Sequence, residues 1–238
     1  MGRQTARIRV AEPLRFLLAA RNRSGDVEIA VDGVSSLVHL AQSLGVPRTE
    51  IGEMRVAGLP VALHTRPCGG DLIDLLPVRR PQRIADPRFV LDVHLGALSR
   101  RMRLLGLDAA YHNDAADAEL VAQAAGQQRI LLTQDRGVLR RRALPAGAYV
   151  HGSDPDDQLM DVLDRFDPPL TPWSRCPACN GLLEPVEKGR VQHLLQPGTR
   201  RSYAQFARCQ ECGRLYWRGA HARRLDAIVA RAVNRRRP

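Results

Sequence analysis

Phe89-Val90-Leu91-Asp92-Val93 is the stretch on which the fold turns. An apolar run with no polar alternation predicts a strand over residues 89–93 that is buried on both faces, as strands of parallel sheets are. Working outward, helical spacing over residues 95–105 puts Leu95, Leu98, Met102 and Leu105 on one face. Strands are expected at 109–112, 129–133 and 148–151, with helices at 116–125, 137–142 and 155–166 between and after them. Strands alternating with helices predict an α/β domain with a mostly parallel sheet, whose sites lie at the carboxyl ends of the strands.

That edge collects acids. Asp92 closes the first strand, Asp135 follows the strand at 129–133, and Asp117 and Glu119 open the helix between. Asp157 stands near the start of the last helix. Hard oxygen ligands suit Mg²⁺ or Mn²⁺, and two such ions about 4 Å apart orient a water and stabilise the leaving oxygen of a phosphodiester. Taken singly, Asp114, Asp117, Asp156 and Asp157 are more simply read as helix caps or first-turn charges. Arg100, Arg101 and Arg103 on the first helix, with Arg136, Arg140, Arg141 and Arg142 after Asp135, suit phosphates flanking a cut or the solvated faces of two helices.

Farther along, Cys176-Pro177-Ala178-Cys179 and Cys209-Gln210-Glu211-Cys212 each offer two thiolates at knuckle spacing. Turn formers beside them (Asn180-Gly181, Gly213) predict a zinc ribbon, with Cys176, Cys179, Cys209 and Cys212 as tetrahedral zinc ligands. Four protein ligands leave no open coordination position, so this zinc is structural. Disulfides would need an export signal, and the first six residues, Met1 to Ala6, contain no apolar stretch to serve as one. Nor does any apolar run reach the length of a membrane span, so no membrane association and a cytoplasmic location are expected.

The net charge is +11, and Lys188 is the single lysine. Arginines crowd the sequence after Gly198, where Arg214 and Arg218 join Trp217 and His221 as nucleic-acid contacts, and Tyr203, Phe206 and Tyr216 could stack on bases. An RNA partner is expected, or a merely solvated basic tail.

The front of the chain reads as strands at 6–10, 14–19, 27–31, 53–57 and 72–76 around a helix at 36–44, the order of a β-grasp domain. It resembles ubiquitin-like, sulphur-carrier-like domains in Leu44-Gly45-Val46-Pro47, in Val56-Ala57-Gly58-Leu59-Pro60-Val61, and in Gly70-Asp71-Leu72-Ile73-Asp74-Leu75-Leu76-Pro77. Gly69-Gly70 is internal, which predicts a tight turn with positive φ in place of an activatable carboxyl terminus. The sheet of such a domain also offers a docking surface for a protein or ribosomal partner.

Phe89 to Gly96, Arg100 to Gly106, Leu131-Leu132-Thr133-Gln134-Asp135 and the two knuckles through His221 are similar to the Mut7-C family. The resemblance implies a PIN-like ribonuclease fold followed by a zinc ribbon, and Mg²⁺-dependent RNA cleavage by Asp92, Asp117 and Asp135, with Asp157 as a further acid. Gln134 departs from the arginine frequent at that place in the family. The expected organisation is a ubiquitin-like β-grasp domain at 1–78, a linker at 79–88, a PIN-like α/β domain at 89–168, and a zinc ribbon with a basic tail at 169–238. The expected function is metal-dependent RNA hydrolysis; the alternative is a non-catalytic RNA- or ribosome-binding protein that uses the ribbon surface.

Overall fold

A computed structural model describes residues 4–217 and 222–234. The chain forms two compact units, one of Met1–Gln82 with Asp117–Tyr149, the other of Arg83–Ala116 with Val150–Pro238.

The first unit opens with β1 (Thr5–Val10), β2 (Asp26–Ala30), α1 (Leu37–Ser43), β3 (Ile51–Val56), β4 (Leu59–Val61) and β5 (Leu72–Pro77). These strands make a five-stranded sheet in the order β2-β1-β5-β3-β4. Strands β1 and β5 run parallel, with Ile8 opposite Ile73, and the other pairs are antiparallel. The alternation of β1 turns Ala6, Ile8 and Val10 inward, onto Leu37, Leu40 and Ala41 of α1. Burying each leucine contributes about 2 kcal/mol. The Ser36 hydroxyl accepts from His39 N and starts α1; Gly45, at φ +109°, ends it. A Cβ at Gly45 would lie 2.7 Å from the Leu17 carbonyl, so no other residue fits there.

This is the expected β-grasp, with two corrections, the first being that β4 (Leu59–Val61) is a strand the pattern did not mark. Residues 14–19, read as a strand, instead lie largely in a 3-10 helix, Glu12–Leu17. Pro13 presets its first turn, and Leu14 and Leu17 are buried at a spacing of three, which a strand cannot place on one face. The Gly69-Gly70 pair is the expected turn, with Gly70 at φ +87° and its N–H donating to the Thr5 carbonyl.

The second unit starts with β6 (Phe89–Leu91), α2 (Gly96–Leu104) and β7 (Ala109–Tyr111), β6 and β7 pairing in parallel. In the first unit, α3 (Asp117–Gly126), β8 (Ile130–Thr133), α4 (Arg136–Leu139) and β9 (Gly147–Tyr149) follow, with β8 and β9 also parallel. All residues of β6 and β8 are buried, as a continuous apolar run requires. The strand expected through Val93 ends at Leu91, because the Asp92 side chain accepts from Val93 N and starts a 3-10 turn there. The basic helix is shorter than its pattern suggested, so Arg140, Arg141 and Arg142 lie in the turn after it.

The second unit resumes with α5 (Pro155–Phe166), then β10 (Leu183–Val186), α6 (Lys188–Val191), α7 (Pro197–Ser202), β11 (Phe206–Cys209), β12 (Leu215–Tyr216) and α8 (Ala222–Asn234). Strands β10, β11 and β12 form an antiparallel three-stranded sheet. Its own core is small: Val191, Leu195 and Phe206. No helix among the described residues is long and apolar enough to cross a membrane.

Candidate metal centre and nucleic-acid interface

The turn at residues 176–181 and the loop closing β11 onto β12 carry the four cysteines, whose sulfurs all lie within 4.8 Å of one another. Cys176 Sγ is 3.8 Å from Cys212 Sγ, and Cys179 Sγ is 3.4 Å from Cys209 Sγ. Zinc–sulfur bonds of about 2.3 Å in a tetrahedron put sulfurs roughly 3.8 Å apart, so the thiols fit the metal, and none is joined in a disulfide. Among the described residues this is the group of three or more His, Cys, Asp or Glu side chains close enough to share an ion.

Backbone geometry builds the cradle. Cys176 N donates to the Gly181 carbonyl, Asn180 N to the Cys176 carbonyl, and Cys212 N to Cys209 Sγ. Asn180 and Gly213 take positive φ, 74° and 71°, as the two tight turns demand. A Cβ on Gly181 would meet Glu211 Cγ at 2.5 Å and Cys209 Sγ at 3.0 Å. The Tyr216 hydroxyl lies 3.0 Å from Cys176 Sγ. Burial raises the Cys176 pKa, but the Tyr216 hydroxyl and the backbone N–H groups of Cys179 and Ala178 outweigh it and lower it to about 6. Burial dominates at Cys179 and pushes its thiol up to about 12. Burial and the Cys176 sulfur raise the Tyr216 pKa above its ordinary value.

One residue ties this knuckle to α2. Arg103 is 3% exposed, and its guanidinium donates to the carbonyls of Ala109 (2.8 Å), Pro177 (3.2 Å) and Ala178 (2.9 Å). Burial pulls its pKa down, against the Cys179 and Cys176 sulfurs, which raise it. Nε and Nη1 of Arg103 are spent on carbonyls inside the protein, so the residue serves as a strut between α2 and the knuckle, where the sequence reading expected a surface contact to nucleic acid. Asn180 braces the same junction, donating to Asp108 Oδ1 and accepting from Ala109 N.

Beside the strut lies an open cleft of about 400 Å³ lined by Ser99, Arg100, Arg103, Tyr111, Pro177, Ala178, Arg214 and Tyr216. Arg100 is exposed there, and the Tyr111 hydroxyl donates to the Val93 carbonyl. Sequence reasoning selected Arg100 and Arg214 but missed Ser99 and Tyr111, because their neighbourhood with the knuckle exists only after folding. Trp217 is 40% exposed, its ring 6.2 Å from that of Phe206. Arg218 and His221 lie outside the described residues.

Arg101 pairs with Asp156 and donates to the Ala97 carbonyl. Arg136 donates to the carbonyls of Phe16 and Leu17 at 2.9 and 3.3 Å. Arg140 is exposed.

Each predicted acid keeps its position at a strand end or helix start. Asp92, 6% exposed, follows β6 and accepts from Val93 N at 2.6 Å. Asp135 follows β8, receives the Gly137 N–H at 2.6 Å and caps α4. Asp117 and Glu119 lie in the first turn of α3, and Asp117 Oδ2 accepts from Arg141 Nη2 at 3.1 Å. Within the first unit, Asp117, Glu119 and Asp135 do not form a shared-ion cluster as they stand. Asp157 is exposed on the first turn of α5 and lies 3.7 Å from Arg231 of α8.

A family model described as Mut7-C RNAse domain matches residues 87–229, and one described as Mut7-C ubiquitin matches residues 3–83. The crystal structure of SAMP1 from Haloferax volcanii is similar at 16% identity and a TM-score of 0.25, covering 31% of this chain and 93% of that one. No curated protein matches the sequence significantly. With its middle and ribbon regions matched continuously over more than half of its 238 residues, the chain belongs to the Mut7-C RNAse domain family.

Proposed function

We propose that the protein is a metal-dependent ribonuclease in which Asp92, Asp117 and Asp135, with Glu119, hold Mg²⁺ or Mn²⁺. The observation that carries this reading is positional: Asp92 and Asp135 each stand directly after, or one residue past, the carboxyl end of a parallel strand, where α/β sheets present their ligands. Their donor set is all oxygen, which suits hard cations. Bound there, such ions supply a polarised water and charge stabilisation at phosphorus. Hydrolysis adds water across one P–O bond, leaving one phosphate end and one hydroxyl end. The protein's own contribution is to fix the carboxylates: the N–H groups of Val93 and Gly137 hold one oxygen of Asp92 and of Asp135 respectively. Asp157, paired with Arg231, serves α5 and α8 in this reading. The working organisation is the ubiquitin-like segment 1–78, linker 79–88, nuclease segment 89–168 and ribbon 169–238, acting in the cytoplasm.

The experiment is cleavage of an RNA panel by pure protein in Mg²⁺ and in Mn²⁺, with Asp92→Asn and Asp135→Asn beside it. Loss of cleavage in both variants supports the reading. Undiminished cleavage in both removes these residues from the mechanism.

The cleft beside the zinc knuckle favours a second reading, RNA binding without turnover. Arg100 and Arg214 supply phosphate donors, and Tyr111 and Tyr216 supply aromatic surface. Salt-sensitive RNA binding with no cleavage in any metal would select it.

A further inference from the structure

The ubiquitin-like segment has no role in either reading, yet its helix forms one wall of a second cleft. His39, Gln42 and Ser43 of α1 face Gly137, Arg140 and Arg141 of α4 and the turn after it, around an open space of about 400 Å³. Its lining side chains are hydrogen-bond donors or amphoteric groups, and no carboxylate is among them. Arg140, the His39 imidazole and the Gln42 amide offer donors to phosphate oxygens, beside Arg141, which is paired with Asp117 at 3.1 Å, and Ser43, whose hydroxyl donates to the Leu40 carbonyl.

The walls are held in place from within the first unit. Arg136 donates to the carbonyls of Phe16 and Leu17, Arg48 to those of Leu144 and Pro145, and Tyr149 N donates to the buried Glu50 carboxylate. The Phe16 and Tyr149 rings meet at 4.9 Å. These bonds join the ubiquitin-like segment, through Phe16, Leu17, Arg48 and Glu50, to residues 136–149 at three separate places beside the cleft.

Gly137, in the lining, donates to Asp135, and Arg141, also in the lining, donates to Asp117. The cleft thus borders two of the acids assigned to the metal site.

We propose that this cleft binds the phosphodiester backbone of an RNA strand, with the ubiquitin-like domain supplying His39, Gln42 and Ser43 as one wall of the substrate path. The strand's onward course to the acids rests on the ribonuclease reading; the binding itself does not.

The test is fluorescence anisotropy of a labelled short oligouridine with the full-length protein, at several salt concentrations and without added Mg²⁺ or Mn²⁺. His39→Glu and Gln42→Glu, both on the ubiquitin-like side, should each weaken binding about fivefold, and Arg140→Ala should lower the salt slope by about 0.7. Unchanged melting midpoints show that these surface substitutions leave the fold intact. Wild-type affinity in both α1 variants overturns the proposal, as does competition by a poly-aspartate peptide equal to that by unlabelled oligouridine. If no RNA is cut in any metal while the α1 variants bind weakly, the nuclease reading falls and the cleft stands. If RNA is cut and His39→Glu and Gln42→Glu bind like wild type, the cleft falls alone.

Discussion

Asp117 and Arg141 form an ion pair across the first unit, Nη2 to Oδ2 at 3.1 Å, with both side chains about half exposed. An exposed pair of this kind is worth little, about 0.5 kcal/mol, so a phosphate or a cation can exchange into it at small cost. The acid that opens α3 is held by the same guanidinium that lines the cleft beside α4.

Arg141→Ala is therefore expected to act in two opposite directions. Removing the guanidinium unpairs Asp117 and tightens Mn²⁺ binding, while it weakens RNA binding by about threefold through loss of one phosphate donor. Calorimetric Mn²⁺ titration and oligouridine anisotropy on the same preparation check both signs. Weaker Mn²⁺ binding would show that Arg141 supports the acids and does not compete for them.

Arg103→Ala should destabilise the second unit by about 3 kcal/mol, because it strips the carbonyls of Ala109, Pro177 and Ala178 of one shared donor. Arg103→Lys should recover only part of this, since an ammonium cannot span three carbonyls as a planar fork does. Chemical denaturation of both variants provides the comparison, and an RNA affinity unchanged in Arg103→Lys would confirm that the residue is internal.

The protein should hold one zinc ion per chain, measured by elemental analysis, with Co²⁺ substitution giving a tetrahedral thiolate spectrum. Chelation should unfold residues 176–216 specifically, because Val191, Leu195 and Phe206 are too small a core to sustain that sheet alone. Gly181→Ala should reproduce much of this loss, since its methyl must displace Glu211 or Cys209. A ribbon whose amide exchange is unaffected by chelation would contradict the account.

Asp32 gives a pH signature in the loop before α1. Its carboxylate accepts from Ser35 N, the Ser35 hydroxyl and Val34 N, which lowers its pKa from 3.8 to about 2. A depressed folded pKa means the contribution is present above the ordinary value of 3.8 and is lost as pH falls through about 2. The Val34 and Ser35 amide resonances should titrate with a midpoint near pH 2, and this step should be absent in Asp32→Ala. A midpoint near 4 in the wild-type protein would mean that the hydrogen bonds do not hold the carboxylate.

Much of the architecture was legible in the amino-acid order because the relevant signals are local. The continuous apolar runs of β6 and β8, the alternation of β1, the helix pattern of α5 bounded by Pro155 and Phe166, and the two cysteine knuckles each follow from residues near in sequence. Residues 14–19 differ from their strand-like pattern because short apolar runs look alike as strands and as 3-10 turns until the partner surface is known. The positions of Asp92 and Asp135 at strand ends were likewise readable from where the apolar runs stop.

Composition and spacing by themselves determined the parallel-strand pattern, the two cysteine knuckles that converge and the acids at strand ends. Only the tertiary structure decided which arginines are surface donors and which are struts. A guanidinium looks the same in sequence whether it faces water, as Arg140 does, or is buried among carbonyls, as Arg103 is. Long flexible side chains take their role from whichever acceptors folding brings within reach, and the Pro177 and Ala178 carbonyls bound by Arg103 and the Phe16 and Leu17 carbonyls bound by Arg136 lie far away along the chain.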